Sequence, residues 1–286
     1  MPREKTIHIC SLNFAANPHP DGIYITLLRR ASKFLVKARA NDYAKITEPR
    51  KSETAPYYIG RILLWTEIDV DGPWLDLERE ETLHTSLKEQ LNIPKTAKPN
   101  YRVFSYVFDS SKHQFYFEAK NEFGENLGPT TARRIFARLF SQELLGLDSP
   151  EVEVTVTPEE GAVERILTLP GLRSLHMRVT LPNPDLSSPE ARRRVFKRLN
   201  DAKARQMDEH FVKAADAPAL VATAEIRETA EVAADNGFVR GEGRTEDGKK
   251  LAVATDDFPQ RFYVGLDQGR NFLARLLSAF RRARRA

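Results

Sequence analysis

A chain of 286 residues, 41% apolar and 29% charged, can build a sizeable core beneath a soluble surface. Its apolar runs, such as Ile62-Leu63-Leu64-Trp65, fall far short of the roughly 20 residues that cross a bilayer. The first residues, Met1-Pro2-Arg3-Glu4-Lys5, lack the apolar stretch of a secretory signal, so neither membrane insertion nor export is expected. The single cysteine, Cys10, excludes an internal disulfide and fits a reducing cytoplasm. Lying in an alternating run, it reads as a small buried thiol.

In chain order, residues 6–14 predict a strand that Asn17-Pro18-His19-Pro20 breaks. Asp21 then reads as the N-cap of a helix to about residue 40, with Tyr24, Leu27, Leu28, Ala31 and Leu35 as its buried stripe. Residues 47–56 are loop chemistry, and residues 57–69 predict a long strand ending in the turn Val70-Asp71-Gly72-Pro73. A Pro- and Lys-rich loop at 94–99 precedes two β-rich runs, 101–109 and 114–120, joined as a hairpin. Gly128-Pro129-Thr130-Thr131 opens a helix with the stripe Ile135, Phe136, Leu139, Phe140 and Leu144, and Gly146 caps its end.

A second unit is expected from residue 149, giving an α+β chain of two small mixed-sheet units, 1–148 and 149–286, with helices packed on one face. A strand at 151–157, a helix at 158–168 and a strand at 172–181 read as a β-α-β unit. A long helix is expected from Pro189 to about residue 214, with Val195, Phe196, Leu199, Ala202 and Phe211 facing a core. A helix at 225–235 stops at Asn236-Gly237, a hairpin turns at Glu246-Asp247-Gly248, and a last helix runs from about residue 266.

Charge placement carries the functional expectation. Residues 189–205 hold seven basic side chains against Glu190 and Asp201, a local +5; residues 268–286 hold six arginines and no acid. With a total of +4, these two stretches leave −7 for everything else. An acidic body with two basic elements is the footprint of a surface that meets phosphates. On the first helix Arg194, Arg198 and Arg205 share a stripe flanked by Arg192, Arg193 and Lys197; arginine's rigid fork suits phosphate oxygens. The bland alternative is a solvated face, but such faces are usually laced with acids at i, i+4. The C-terminal helix repeats the pattern, with Phe272, Leu273, Leu276, Leu277 and Phe280 as its apolar stripe and Arg281, Arg282, Arg284 and Arg285 as a tail. That tail reads either as a nucleic-acid arm or as a frayed, dipole-complementing end. The helix start at Gly128, with Arg133, Arg134 and Arg138, is a third candidate anion site or an ordinary capped helix.

Enzyme signals are sparse. Glu67, Asp69 and Asp71 alternate, so a continuing strand would set them on one face where a divalent ion could bridge them; the alternative is a charged strand end. Asp109 with Glu118-Ala119-Lys120 has the flavour of a nuclease signature, but the hairpin register puts the two acids about 15 Å apart, too far for one metal. His84, His113, His176 and His210 read as isolated, with His8 in a strand and His19 in a Pro-rich loop. No metal-binding, phosphate-cradling or nucleophile motif occurs, and no cofactor is expected.

Residues 7–20, Trp65-Thr66-Glu67-Ile68-Asp69 through Pro73-Trp74-Leu75, Leu181-Pro182-Asn183-Pro184-Asp185 and residues 231–238 resemble an uncharacterised bacterial family. Gly128-Pro129-Thr130-Thr131, the strand ending Val179-Thr180-Leu181-Pro182 and the hairpin at Asp247-Gly248 are similar to the phage-exclusion protein RexA. KwaB of the Kiwa defence system is similar in size and layout. These resemblances imply an anti-phage component that binds DNA with little sequence preference, RexA-like in acting as a dimer. The resulting expectation is sequence-independent binding of double-stranded DNA by a cytoplasmic homodimer, with a possible defence-system partner protein. The alternatives are a metal-dependent nuclease or phosphodiesterase using Glu67, Asp69 and Asp71, and an adaptor that meets an acidic protein.

Overall fold

The computed structural model describes residues 6–53, 57–181 and 190–265, the side chains of 190–192 excepted. The first elements are β1 (Thr6–Asn17), α1 (Ile23–Ala31), β2 (Val36–Arg39), β3 (Asp42–Ile46), β4 (Arg50–Lys51), β5 (Tyr57–Thr66), β6 (Leu75–Asp76), β7 (Glu81–Thr82) and α2 (Thr85–Leu91). Then come β8 (Arg102–Asp109), β9 (Gln114–Lys120), α3 (Pro129–Leu139), α4 (Gln142–Leu145), β10 (Glu151–Val156), α5 (Ala162–Leu167) and β11 (Ser174–Thr180). The described chain ends with α6 (Glu190–Asp201), β12 (Gln206–Val212), α7 (Ala224–Asp235), β13 (Gly237–Arg244), β14 (Lys250–Ala254) and β15 (Arg261–Gly265).

These elements make an α+β fold with several antiparallel sheets. The largest has nine strands in the order β10-β1-β9-β8-β5-β3-β2, with β15 also on β1 and β4 on β5. The second has the order β12-β11-β13-β14. Among the described residues every strand pair runs antiparallel, so these sheets are not mixed and the first is not small. Length explains the role of β1: its twelve residues exceed most partners, so β15 pairs Thr6–Cys10 and β10 pairs Leu12–Asn17. Strands from beyond residue 149 therefore complete the first sheet, and the sheets do not divide the chain there. The expected β-α-β unit is corrected for the same reason: β10 joins the first sheet and β11 the second.

Phe14 of β1 centres the first core. Its ring lies 5.0–6.0 Å from those of Phe108, Phe115, Phe136 and Phe140, tying α3 to the sheet. Leu27, Leu28 and Ala31 bring α1 into the same core. The second core sets Val163 and Ile166 of α5, Val195, Phe196 and Leu199 of α6, and Ala230 and Ala233 of α7 against Leu175, Met177, Val179 and Val239. Gly241 lets α5 lie close: a Cβ there would stand 2.7 Å from the Ile166 side chain.

Three expected helices are shorter than periodicity alone suggests, and a fourth is broken: α3 stops at Leu139, and Leu144 with the Gly146 cap belongs to α4. The first begins at Ile23 behind a Gly22 N-cap rather than an Asp21 cap and stops at Ala31. Val36 and Ala38 then alternate with exposed neighbours as strand β2, leaving Leu35 55% exposed. The second helix of this kind begins only at Ala162. The third ends at Asp201, where Lys203 turns to a φ of 49° and Gln206–Val212 pairs with β11 instead. Phe211 thus packs from a strand, and Ala202 is exposed. Among the described residues no helix is long and apolar enough to cross a membrane.

Candidate nucleic-acid interface

Helix α6 is the element whose chemistry is most easily derived from its own sequence. Val195, Phe196 and Leu199 are buried, and at about 100° per residue Arg193, Arg194, Lys197 and Arg198 fall on the opposite arc, where all four are exposed. Tertiary structure brings acids to that arc. Arg194 meets Glu228 of α7 at 2.6 Å, and Arg198 meets Glu209 of β12 at 2.6 Å. The side chains of Arg194 and Arg198 remain 65% and 49% accessible, so these are surface pairs, each worth about 0–1 kcal/mol. They orient the guanidinium groups without sequestering them. Arg193 and Lys197 form no ion pair with another described residue.

Arg205 is not on this helix. It lies in the turn before β12 and pairs with Glu151 of β10, across the seam between the sheets. Arg133 also faces this seam, 3.0 Å from Asp256, while Arg138 donates to the Lys37 carbonyl and Arg134 is exposed. Burial pushes the Asp256 and Glu153 carboxyls up, and nearby arginines oppose it: Arg133 for Asp256, and Arg178, Arg133 and Arg205 for Glu153. The start of α3, a candidate anion site or an ordinary capped helix, thus sends one of its three arginines into a junction ion cluster and a second onto a backbone carbonyl. The side chain of Arg192, with Arg281, Arg282, Arg284 and Arg285, lies outside the described residues.

The opposite face of the second sheet carries a group that residue-by-residue reading leaves scattered. Register places His176 opposite both His210 and Arg240, and Arg178 opposite both Asp208 and Phe238. Asp208 accepts from His176 at 2.9 Å, Arg178 at 3.0 Å and Gln206 at 2.8 Å. Burial acts to raise the Asp208 carboxyl, but those hydrogen bonds outweigh it and hold it below the usual carboxylate range. The Arg178 guanidinium stacks 5.1 Å above the Phe238 ring. Alternation of polar residues along 174–178 and 206–210 was the available signal, but only strand pairing joins the two runs.

The acidic group near β5 does not assemble. The strand ends at Thr66, so Glu67, Asp69 and Asp71 follow a loop and not one strand face. Glu67 pairs with Lys98 and accepts from the Trp65 indole at 3.1 Å; Asp71 pairs with Lys95 at 2.6 Å. Hydrogen bonds from those lysines hold both carboxyls below their ordinary values. Asp69 accepts from the Asp71 and Gly72 amides, closing the turn. Among the described residues no three His, Cys, Asp or Glu side chains are grouped to hold a metal.

The second acid pair also stays apart. Asp109 pairs with Gln114 at the hairpin end, while Glu118 accepts from the Ser105 amide at 2.5 Å. Burial pushes the Glu118 carboxyl up to about 7. Cys10 is buried and its thiol is likewise pushed up to about 11, as an inert core residue requires.

No curated protein matches the chain. Residues 5–281 match the model of a family described as a domain of unknown function, DUF4747, and the chain belongs to that family.

Proposed function

We propose that this protein binds double-stranded DNA without reading its sequence, through phosphate contacts on the exposed arc of α6. The observation that carries the reading is the placement of Arg193, Arg194, Lys197 and Arg198 opposite the buried Val195, Phe196 and Leu199. Anchored side chains lose less conformational freedom on binding than a free tail does. Glu228 and Glu209 compete weakly, because a surface ion pair exchanges its carboxylate for a phosphate at little net cost. The resemblance to RexA and KwaB supports a cytoplasmic homodimer in anti-phage defence, alone or with a partner protein.

Fluorescence anisotropy with two unrelated duplexes of equal length tests the proposal. Both duplexes should bind alike, with log affinity falling against log salt by about 0.9 for each phosphate engaged. Affinity that is flat in salt, or confined to one duplex, overturns it. The same titration with Mg²⁺ should leave the duplexes intact.

A further inference from the structure

Helices α5, α6 and α7 pack on one face of the second sheet, and strand register fixes what the other face carries. Leu175, Met177, Val179 and Val239 lie in the core, so the residues between them line the open side. Asp208, Arg178 and Phe238 form one cross-strand row there, and His210, His176 and Arg240 form the next. The groups are layered on one another. The Arg178 guanidinium lies 5.1 Å over the Phe238 ring, and His176 meets the same ring edge-on at 4.9 Å. The His210 ring is 5.7 Å from that of His176. Asp208 fixes the set by accepting from both His176 and Arg178, which remain 36% and 35% accessible. His210 and Arg240 are exposed, and Arg240 has no ion pair or hydrogen bond with another described residue.

The arrangement selects among ligands. At its paired positions the face carries Arg178, Arg240, Arg244 and Lys250 against Asp208 and Glu242, so it favours an anion. A duplex turns its phosphates outward and keeps its base faces stacked, which leaves the rings of Phe238, His176 and His210 without a role. A single strand offers phosphates and unpaired bases together, and such bases stack on aromatic rings and on guanidinium planes. A base laid on Arg178 extends the stack that Phe238 begins. The rows are two residues apart, about 6.6 Å along the strands, so a base on one row leaves its phosphate within reach of Arg240 on the next. Small side chains at Ala252 and Ala254 keep the β14 side of the face low. Glu242 opposes an anion, but it is exposed and its field is screened. Glu153 of β10 feels Arg178 from the seam, and shares that role with Arg133 and Arg205.

We propose that the open face of the second sheet binds single-stranded nucleic acid, with Arg178 and Phe238 stacking an unpaired base and Arg240 holding phosphate. The inference shares no residue with α6, so it stands or falls separately from duplex binding there.

Fluorescence anisotropy of the full chain provides the test, with an oligothymidylate of about 12 nucleotides, an abasic strand of equal length and a duplex as probes. Oligothymidylate should bind, and the abasic strand should bind about tenfold more weakly because it has no bases to stack. Arg240→Glu, at an exposed position, should weaken oligothymidylate about tenfold and change duplex affinity less than about twofold. Phe238→Ala should also cost about tenfold, while Phe238→Trp should retain binding, its indole fluorescence quenched as the strand is added. Arg194→Glu with Arg198→Glu should leave oligothymidylate bound. Oligothymidylate that fails to bind, binds no better than the abasic strand, or ignores Arg240→Glu overturns the proposal. So does loss of oligothymidylate binding in the α6 variant, which would assign the single strand to that helix. Failure of the duplex alone to bind overturns the α6 reading and not this one.

Discussion

The arginines of α6 and those of the seam between the sheets have the same chemistry and similar partners, yet they do different work. Arg194 and Arg198 pair with carboxylates at an open surface, where water screens the attraction and a competing anion can reach. Arg133 and Arg205 face Asp256, Glu151 and Glu153 where the sheets meet, and burial raises the Asp256 and Glu153 carboxyls despite them. A guanidinium at the first place is available to a ligand. At the second it offsets the desolvation of acids the fold has half buried. Sequence position does not distinguish the two, since Arg198 and Arg205 are seven residues apart.

The largest expected effect comes from inverting the open pair. Arg194→Glu with Arg198→Glu should weaken DNA binding about a hundredfold or more, because two charge-assisted contacts become repulsions. The same variant sets Glu against Glu228 and Glu209, so unfolding in urea should show a loss of about 1 kcal/mol and no more. Normal binding by the folded variant would reduce the arc to a solvated face.

A buried acid that no described arginine compensates sharpens the contrast. Glu118 is 2% exposed, and its carboxyl rises from an ordinary 4.5 to about 7. The native state therefore holds this proton longer than the unfolded chain does. Its contribution is fully present below pH 4.5, and about 3 kcal/mol is lost as pH rises to about 7. Glu118→Gln should remove that slope when urea stability is compared at pH 5 and pH 8. Parallel profiles for parent and variant would show that Glu118 ionises freely in the folded protein.

At the seam, Arg133→Ala should cost about 1–2 kcal/mol of stability, since it leaves Asp256 and Glu153 less compensated. DNA affinity should change less than threefold. A large loss of affinity with unchanged stability would move Arg133 from the structural group to the binding group. The smallest effect tests competition directly: Glu209→Gln with Glu228→Gln frees both arginines and should tighten DNA binding a few-fold at low salt. Unchanged anisotropy curves would mean that the carboxylates do not compete.

Much of this molecule follows from the order of its residues. Alternation marks β1, the β8–β9 and β13–β14 hairpins and the buried set of α6, because period and turn chemistry act within a few residues. The core face of α3 is equally local: Ile135, Phe136 and Leu139 are buried as their spacing requires. Three-dimensional packing decided where helices yield to strands. Residues 36–39 and 206–212 can follow a helical stripe, but each gains more by adding a strand to a sheet already present. It also decided every partner that matters here. Glu228 for Arg194, Glu209 for Arg198 and Glu151 for Arg205 come from elements 11 to 54 residues away in sequence. The sequence by itself determined which helix is basic and what anchors it. Only the tertiary structure decided which of its charges meet carboxylates, because electrostatics depends on distance through space and not along the chain.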